Sequence, residues 1–369
     1  MRSRAIVTAV LAVLNVPSGL AAQASLGQSG ITLSGLVEAS FTHSSAPAAG
    51  TIAGRLFDRN HDQFMLNQLE LSLDRAFDPT KRSAGFHMDL LLGQNASQFQ
   101  AAGLNLGDQG DLPQAYVILN LPTANGAGVQ IKAGKMISLP GVEAVYDVNN
   151  PNVSLGFQAT YVEMATGTGF DVEHRFNRHL DAEVRVLNGW DVVQDNNRHV
   201  SVGARAGITV DAATSANLVA WTGPEEAGND SSMRYGVDAV VNRRVGPRAT
   251  AWVQADYGRE DANPALPDPT RNAQWWGIGA WVKYDVLPSA DLAVRADYLD
   301  DEGGARTSGV LGLPANLGQR LGSGTITLNI HAWSGAMVRP EVRYDRSSLA
   351  AFGGKRGQWT GGLSVADVF

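Results

Sequence analysis

The chain offers raw material for nucleophilic and metal chemistry: seven histidines and 36 acidic side chains in 369 residues. A phospholipase would need a Ser/His pair with an orienting Asn or Asp. His331 near Ser334 is such a pair, but neither residue sits in a G-x-S-x-G or comparable frame, so a polar residue near a strand end explains His331 better. No HExxH occurs, and Asp300-Asp301-Glu302-Gly303-Gly304 lacks the spacing of an EF-hand, which leaves a solvated acidic turn. Gly107-Asp108-Gln109-Gly110 and Gly353-Gly354-Lys355 do not open a helix after a strand and are loop glycines, not phosphate cradles. Cysteine is absent, which removes disulfides, thiol catalysis and cysteine metal sites together. Neither an enzyme nor a cofactor site is expected.

The remaining charges have to be read through the elements that carry them. With 29 basic and 36 acidic residues, a net of -7, the chain has no broad basic surface for nucleic acid. Arg2 and Arg4 precede the apolar run Ala5 to Leu14, and Ala22-Gln23-Ala24 supplies a small-x-small cleavage pattern. Residues 1–24 therefore read as an export signal, and 25–369 as a single exported domain. No later stretch approaches the roughly 20 apolar residues that a membrane helix requires.

Period two dominates the mature chain. In His179 to Val186 even positions are apolar and odd ones charged, and the alternation recurs from Val200 to Val210 and in segments such as 31–42, 63–75, 232–244, 273–286 and 335–346. Most such segments run about 9 to 13 residues, a length suited to tilted strands crossing a membrane. Short connections such as Phe176 to His179 and Leu287 to Ala290 interleave with long polar ones, including Trp221 to Ser232, Arg259 to Asn272 and Asp300 to Arg320. Tight turns at one end and long loops at the other predict an all-β, antiparallel transmembrane barrel in the outer membrane, with short periplasmic turns and long external loops. A soluble sandwich or propeller would explain the alternation equally well, but not the loop asymmetry.

The asymmetry also fixes the count. Splitting 153–176 into two strands at Thr166-Gly167-Thr168-Gly169 gives seventeen, which leaves the chain ends on opposite sides. Treating residues 139–165 as one long third external loop, followed by one strand to Phe176, gives about sixteen. That loop is expected to be the longest or nearly so, and able to fold into the lumen.

Parity then assigns faces. Leu180, Val184, Val186, Val253, Ile278, Val282, Val294, Ile326, Leu328 and Val342 face lipid; Trp190, Trp221, Tyr257, Trp275, Trp276, Tyr284, Tyr298, Trp333 and Tyr344 fall near strand ends as interfacial girdles. Asp171, Glu173, Arg175, Asp181, Glu183, Arg185, Arg205, Asp238, Arg295, Asp297, Arg339, Glu341, Arg343 and Asp345 face inward, where a sixteen-stranded barrel holds water and the charges stay hydrated. The last strand should pair with the first, which makes Phe369 an interfacial anchor. The ending also resembles the carboxy-terminal signal read by the barrel assembly machinery. Leu363, Val365 and Phe369 share one parity, and Asp367 interrupts the usual apolar set.

A family resemblance accompanies this pattern. Ile31 to Ser40, Asn60-His61-Asp62-Gln63-Phe64, Asp89 to Gly93, Gln114-Ala115-Tyr116-Val117, Asn188-Gly189-Trp190-Asp191 and Arg339 to Asp345 resemble the β-barrel porins of type 2, outer-membrane proteins of diderm bacteria. The stretch from Gly134-Lys135-Met136 through Gly141-Val142-Glu143 to Asn149-Asn150 lies where that family resembles itself closely. The resemblance implies passive diffusion of small hydrophilic solutes and a third loop that narrows the pore; sixteen strands suggest, by analogy, a trimer in outer-membrane lipid. On that reading the lumen arginines face acids across a transverse field. Glu143 and Asp147 at the constriction would favour cations or uncharged solutes. A non-conducting barrel serving as adhesin, scaffold or assembly partner is the other expectation.

Overall fold

The computed structural model describes Ala24–Ser25 and residues 30 to 369, apart from Asn125, Pro264, Ala265 and Pro267. The expected export signal, residues 1–24, lies outside the described residues except for Ala24, whose backbone pairs with Leu33.

Alternating side chains give sixteen antiparallel strands. They are β1 Ile31–Ser44, β2 Phe64–Arg75, β3 Ser83–Leu92, β4 Gly110–Leu121, β5 Val129–Ile137, β6 Thr166–Arg175, β7 Leu180–Leu187 and β8 Ser201–Thr209. The second half is β9 Thr214–Pro224, β10 Met233–Val245, β11 Ala249–Glu260, β12 Ala273–Leu287, β13 Ala290–Asp301, β14 Gln319–Trp333, β15 Ala336–Ser347 and β16 Gly357–Val368. Each pairs with its sequence neighbour, and β16 pairs with β1 from Thr360↔Ser44 to Val368↔Leu36, so the sheet closes. A closed sheet has no edge, the condition for strands to cross lipid with every backbone group paired. Phe369 completes the seam: its N–H donates to the Gly35 carbonyl at 2.9 Å, and the Gly35 N–H donates back at 2.7 Å.

Connections alternate as a barrel demands. Residues 176–179, 246–248, 288–289 and 334–335 make tight turns at one end, while 45–63, 93–109, 138–165 and 302–318 make long loops at the other. The 138–165 connection is the longest, and β6 after it is one uninterrupted strand paired to β5, with Gly167 opposite Met136. Outside, Leu180, Val184, Ile278, Val282, Ile326 and Val342 are exposed, the lipid-facing set of the barrel.

Aromatic residues divide between the two faces. Tyr257, Trp276, Tyr284 and Trp333 are exposed on the outer wall, whereas Trp190, Trp221 and Trp275 are buried within the barrel. Adjacent residues of a strand point to opposite faces, so Trp275 and Trp276 cannot both join a girdle.

Candidate functional site

The third loop, residues 138–165, enters the barrel and packs along β10 to β15. Irregular backbone at membrane depth has no water to satisfy it and persists only where the protein supplies partners. Here the charged wall supplies them. Glu341 accepts from the N–H groups of Val153 (2.7 Å) and Ser154 (3.2 Å), and Asp297 accepts from that of Phe157 (2.8 Å). Arginines serve the loop carbonyls: Arg339 donates to Asn150 (2.8 Å) and Arg343 to Leu155 (2.5 Å). Asp345 holds Arg343 at 2.7 Å and also Arg55, from the 45–63 loop, at 3.0 Å.

Apolar contacts seal the same half. Phe157, Tyr161 and Val162 of the loop cluster with Trp275, Leu299, Leu321 and Phe352, and Val142 packs with Val240, Trp252 and Trp281. The expectation that all inward charges stay hydrated is therefore corrected. Arg295, Arg339 and Arg343 are 1% exposed or less, because a folded segment rather than water fills this side of the lumen.

Glu143, expected at the constriction, is paired by the same wall. Its carboxylate lies 2.5 Å from Arg295, accepts from Trp281 Nε1 at 3.1 Å and accepts the Gly156 N–H at 2.6 Å. A charge so fully partnered braces the loop, at a position that also borders the cavity between the loop and the opposite wall. Asp147 lies in a short turn, Asp147–Asn149, and its side chain lies outside the described ones.

The opposite half remains open. Between the loop and β5 to β9 is a cavity of about 410 Å³. Its loop side is largely apolar, with Leu139, Pro140, Val142, Val145 and Met164, and its wall carries Lys132, Glu173, Arg175, Asp181, Glu183, Arg185 and Arg205. Strand register orders those charges. Lys132 faces Asp171, Asp171 faces Arg185, Arg175 faces Asp181 and Glu183 faces Arg205. Opposite charges directly across strands stabilise an antiparallel pair. The single like-charged pair, Glu173 opposite Glu183, is bridged by Lys132 (3.3 Å to Glu173) and Arg205 (3.1 Å to Glu183). Arg205 also holds Asp181 at 2.6 Å, and Arg185 holds Asp171 at 2.8 Å. The lattice is mixed in sign and borders open space.

The cavity's loop end is capped by Arg306 of the 302–318 connection, which donates to the Tyr161 carbonyl at 2.6 Å and lies over the rings of Trp190 and Trp275. Burial, then repulsion from Arg234, brings the Arg306 guanidinium down to about 10, still cationic at neutral pH. Sequence reasoning missed Arg55 and Arg306, since loop residues carry no parity signal. Asp256 and Gln254, by contrast, sit on the inward parity of β11 and could have been read from it.

Comparison with known proteins then assigns the family. The profile of the family described as beta-barrel porin-2, OmpL-like, matches residues 30–367. The chain belongs to this family. No curated protein sequence matches significantly. Among solved structures, the anion-selective porin from Comamonas acidovorans aligns with a TM-score of 0.63 at 11% identity, covering 92% of this chain and 99% of that one. The outer membrane channel DcaP of Acinetobacter baumannii aligns at 0.58 and 13%, covering 92% and 97%. Pseudomonas putida OprB aligns at 0.60 and 11%, covering 92% and 94%. At these identities the likeness is one of fold; the assignment to the porin barrels of the outer membrane rests on the family match.

Proposed function

We propose that the protein is a diffusion porin for small hydrophilic solutes or ions, which pass between the third loop and the β5–β9 wall. The carrying observation is the cavity of about 410 Å³ with its lattice of Lys132, Glu173, Asp181, Glu183, Arg185 and Arg205. A path lined by both signs offers every hydrated solute replacement hydrogen bonds without holding any one tightly, which passive conduction requires. Arg175, at the short-turn end of the same wall, would line the exit. Arg295, Asp297, Arg339, Glu341, Arg343 and Asp345 act indirectly, by pinning the loop that sets the width. Phe369, bonded across the seam to Gly35, serves as the assembly signal read during insertion, after export by a cleaved amino-terminal signal. A trimer in outer-membrane lipid fits this reading, since one solved relative of the fold, OmpT of Vibrio cholerae, is described in a trimer form.

Single-channel recording of the refolded protein in a planar bilayer tests the proposal. Stepwise openings are expected. A folded, heat-modifiable barrel that leaves the bilayer silent would move the protein to the non-conducting class of scaffolds and adhesins.

A further inference from the structure

We propose that the outer wall of β13 to β16, at its long-loop end, binds a phosphate-bearing lipid of the outer leaflet through Arg320 and Arg346. Strand parity turns both arginines away from the lumen. Arg320 shares a face of β14 with the exposed Ile326, and Arg346 shares a face of β15 with the exposed Val342. Gly322 stands opposite Arg346, and the Ser348 N–H donates to the Arg320 carbonyl at 2.9 Å, so the two arginines are diagonal neighbours across the pair. Such neighbours lie about 7–8 Å apart, within reach of one headgroup.

Both arginines are exposed, and among the described residues neither makes an ion pair. Asp300 is directly opposite Arg320 on β13, yet it accepts from the Tyr298 hydroxyl at 3.4 Å and forms no ion pair with the guanidinium. Lys355 and Arg356, in the connection before β16, add two more exposed cations. Cations this close repel one another, and an anion shared between them relieves the repulsion. The same end of the opposite wall carries Phe64, Leu92, Val186 and Val202, all exposed and apolar.

The surface beneath the arginines suits an acyl chain. Tyr298 faces Gly322 and Tyr344 faces Gly324 across the strands, and Tyr344 meets Trp359 with ring centroids 4.7 Å apart. Neither glycine has a positive φ. A Cβ on Gly324 would meet nothing within 4 Å, and one on Gly322 nothing closer than 3.7 Å, so neither backbone conformation nor crowding requires glycine here. Glycine inside a strand often marks the close approach of a ligand. The two leave a strip free of side chains, bordered by Tyr298 and Tyr344, that leads from the arginines to Ile326 on the lipid face. Tyrosine and tryptophan sit at headgroup level, which puts the guanidiniums at the height of lipid phosphates. Their planar forks match phosphate oxygens two at a time. This surface is separate from the cavity, so its ligand is independent of conduction.

Native mass spectrometry of the refolded full-length barrel in neutral detergent, titrated with diphosphoryl lipid A or with phosphatidylcholine, tests the site. Saturable binding of lipid A is expected, with phosphatidylcholine far weaker. Arg320→Ala with Arg346→Ala should weaken lipid A by about tenfold or more. Gly324→Leu, which fills the strip without changing charge, should also weaken it, while Arg248→Ala, at the short-turn end, should leave it unchanged. Heat-modifiable migration establishes that each variant is folded. Displacement of lipid A by excess glucose 1-phosphate would overturn the lipid assignment in favour of free phosphate. Absence of saturable lipid A binding, or equal binding by wild type and the double arginine variant, overturns the proposal. A double variant that loses its oligomer and keeps its lipid also overturns it, and makes the patch a seam between subunits.

Discussion

Replacing Glu143 with Gln separates a bracing role from a selectivity role. Glu143 and Arg295 meet at 2.5 Å with side chains 1% and 0% exposed, so the pair is dry. Removing one partner of a buried ion pair costs about 3–5 kcal/mol. Arg295 keeps Asp297 at 3.2 Å, and glutamine can still accept from Trp281 Nε1, which puts this substitution near the lower end, about 3 kcal/mol. That corresponds to roughly a hundredfold larger population with the loop detached from β13. Limited proteolysis of the folded barrel should then cut within 138–165 far faster, and single-channel records should gain open-state noise. Arg295→Met together with Glu143→Gln should recover part of the loss, because no orphaned charge remains. A Glu143→Gln barrel that shifts its reversal potential toward anions, with wild-type cleavage rates and noise, would refute the bracing role.

Three further outcomes follow from the same geometry. Arg205→Ala removes the cation that holds Asp181, Glu183 and Glu173, so cation preference should rise by roughly twofold, read from the reversal potential under a salt gradient. Gly134 has φ +140°, and a Cβ there would lie 2.1 Å from the Ala115 carbonyl oxygen, so Gly134→Val should destabilise the β4–β5 pairing by about 3 kcal/mol and lower the folded, heat-modifiable fraction. The Phe369 ring covers Gly35, where an added Cβ would meet its Cζ at 2.4 Å; Phe369→Ala should cost about 1–2 kcal/mol of seam packing and slow folding into vesicles.

The barrel was legible because period two is a physical consequence of one face meeting lipid and the other a polar interior. Val184 and Val186 alternate with Glu183 and Arg185 for that reason, and the register brings Arg185 to Asp171 as parity implies. Turn length carried the strand count, since lipid tolerates no unpaired connection midway. What parity could not carry was the inside of the barrel. Arg339 and Arg343 look identical in sequence to Arg185, yet loop backbone covers the first two and a cavity borders the third. Phe157 and Val162, which do the covering, lie in a segment with no strand period. Trp190 and Trp221 were misplaced because a tryptophan near a strand end suits a lipid interface and a lumen plug equally; their rings meet inside, 5.6 Å apart and tilted by 51°, with Met136 and Met164.

Passage of solutes along the β5–β9 wall is directly testable because the chain is free of cysteine. Asn217 lies on the cavity, whereas Thr327 is fully buried on the opposite side beneath Asn152 of the loop. Each is changed to cysteine in turn, and a bulky cationic methanethiosulfonate is added during single-channel recording. Conductance should fall in steps for Asn217→Cys and stay constant for Thr327→Cys. Block at Thr327→Cys with none at Asn217→Cys would contradict the assigned path.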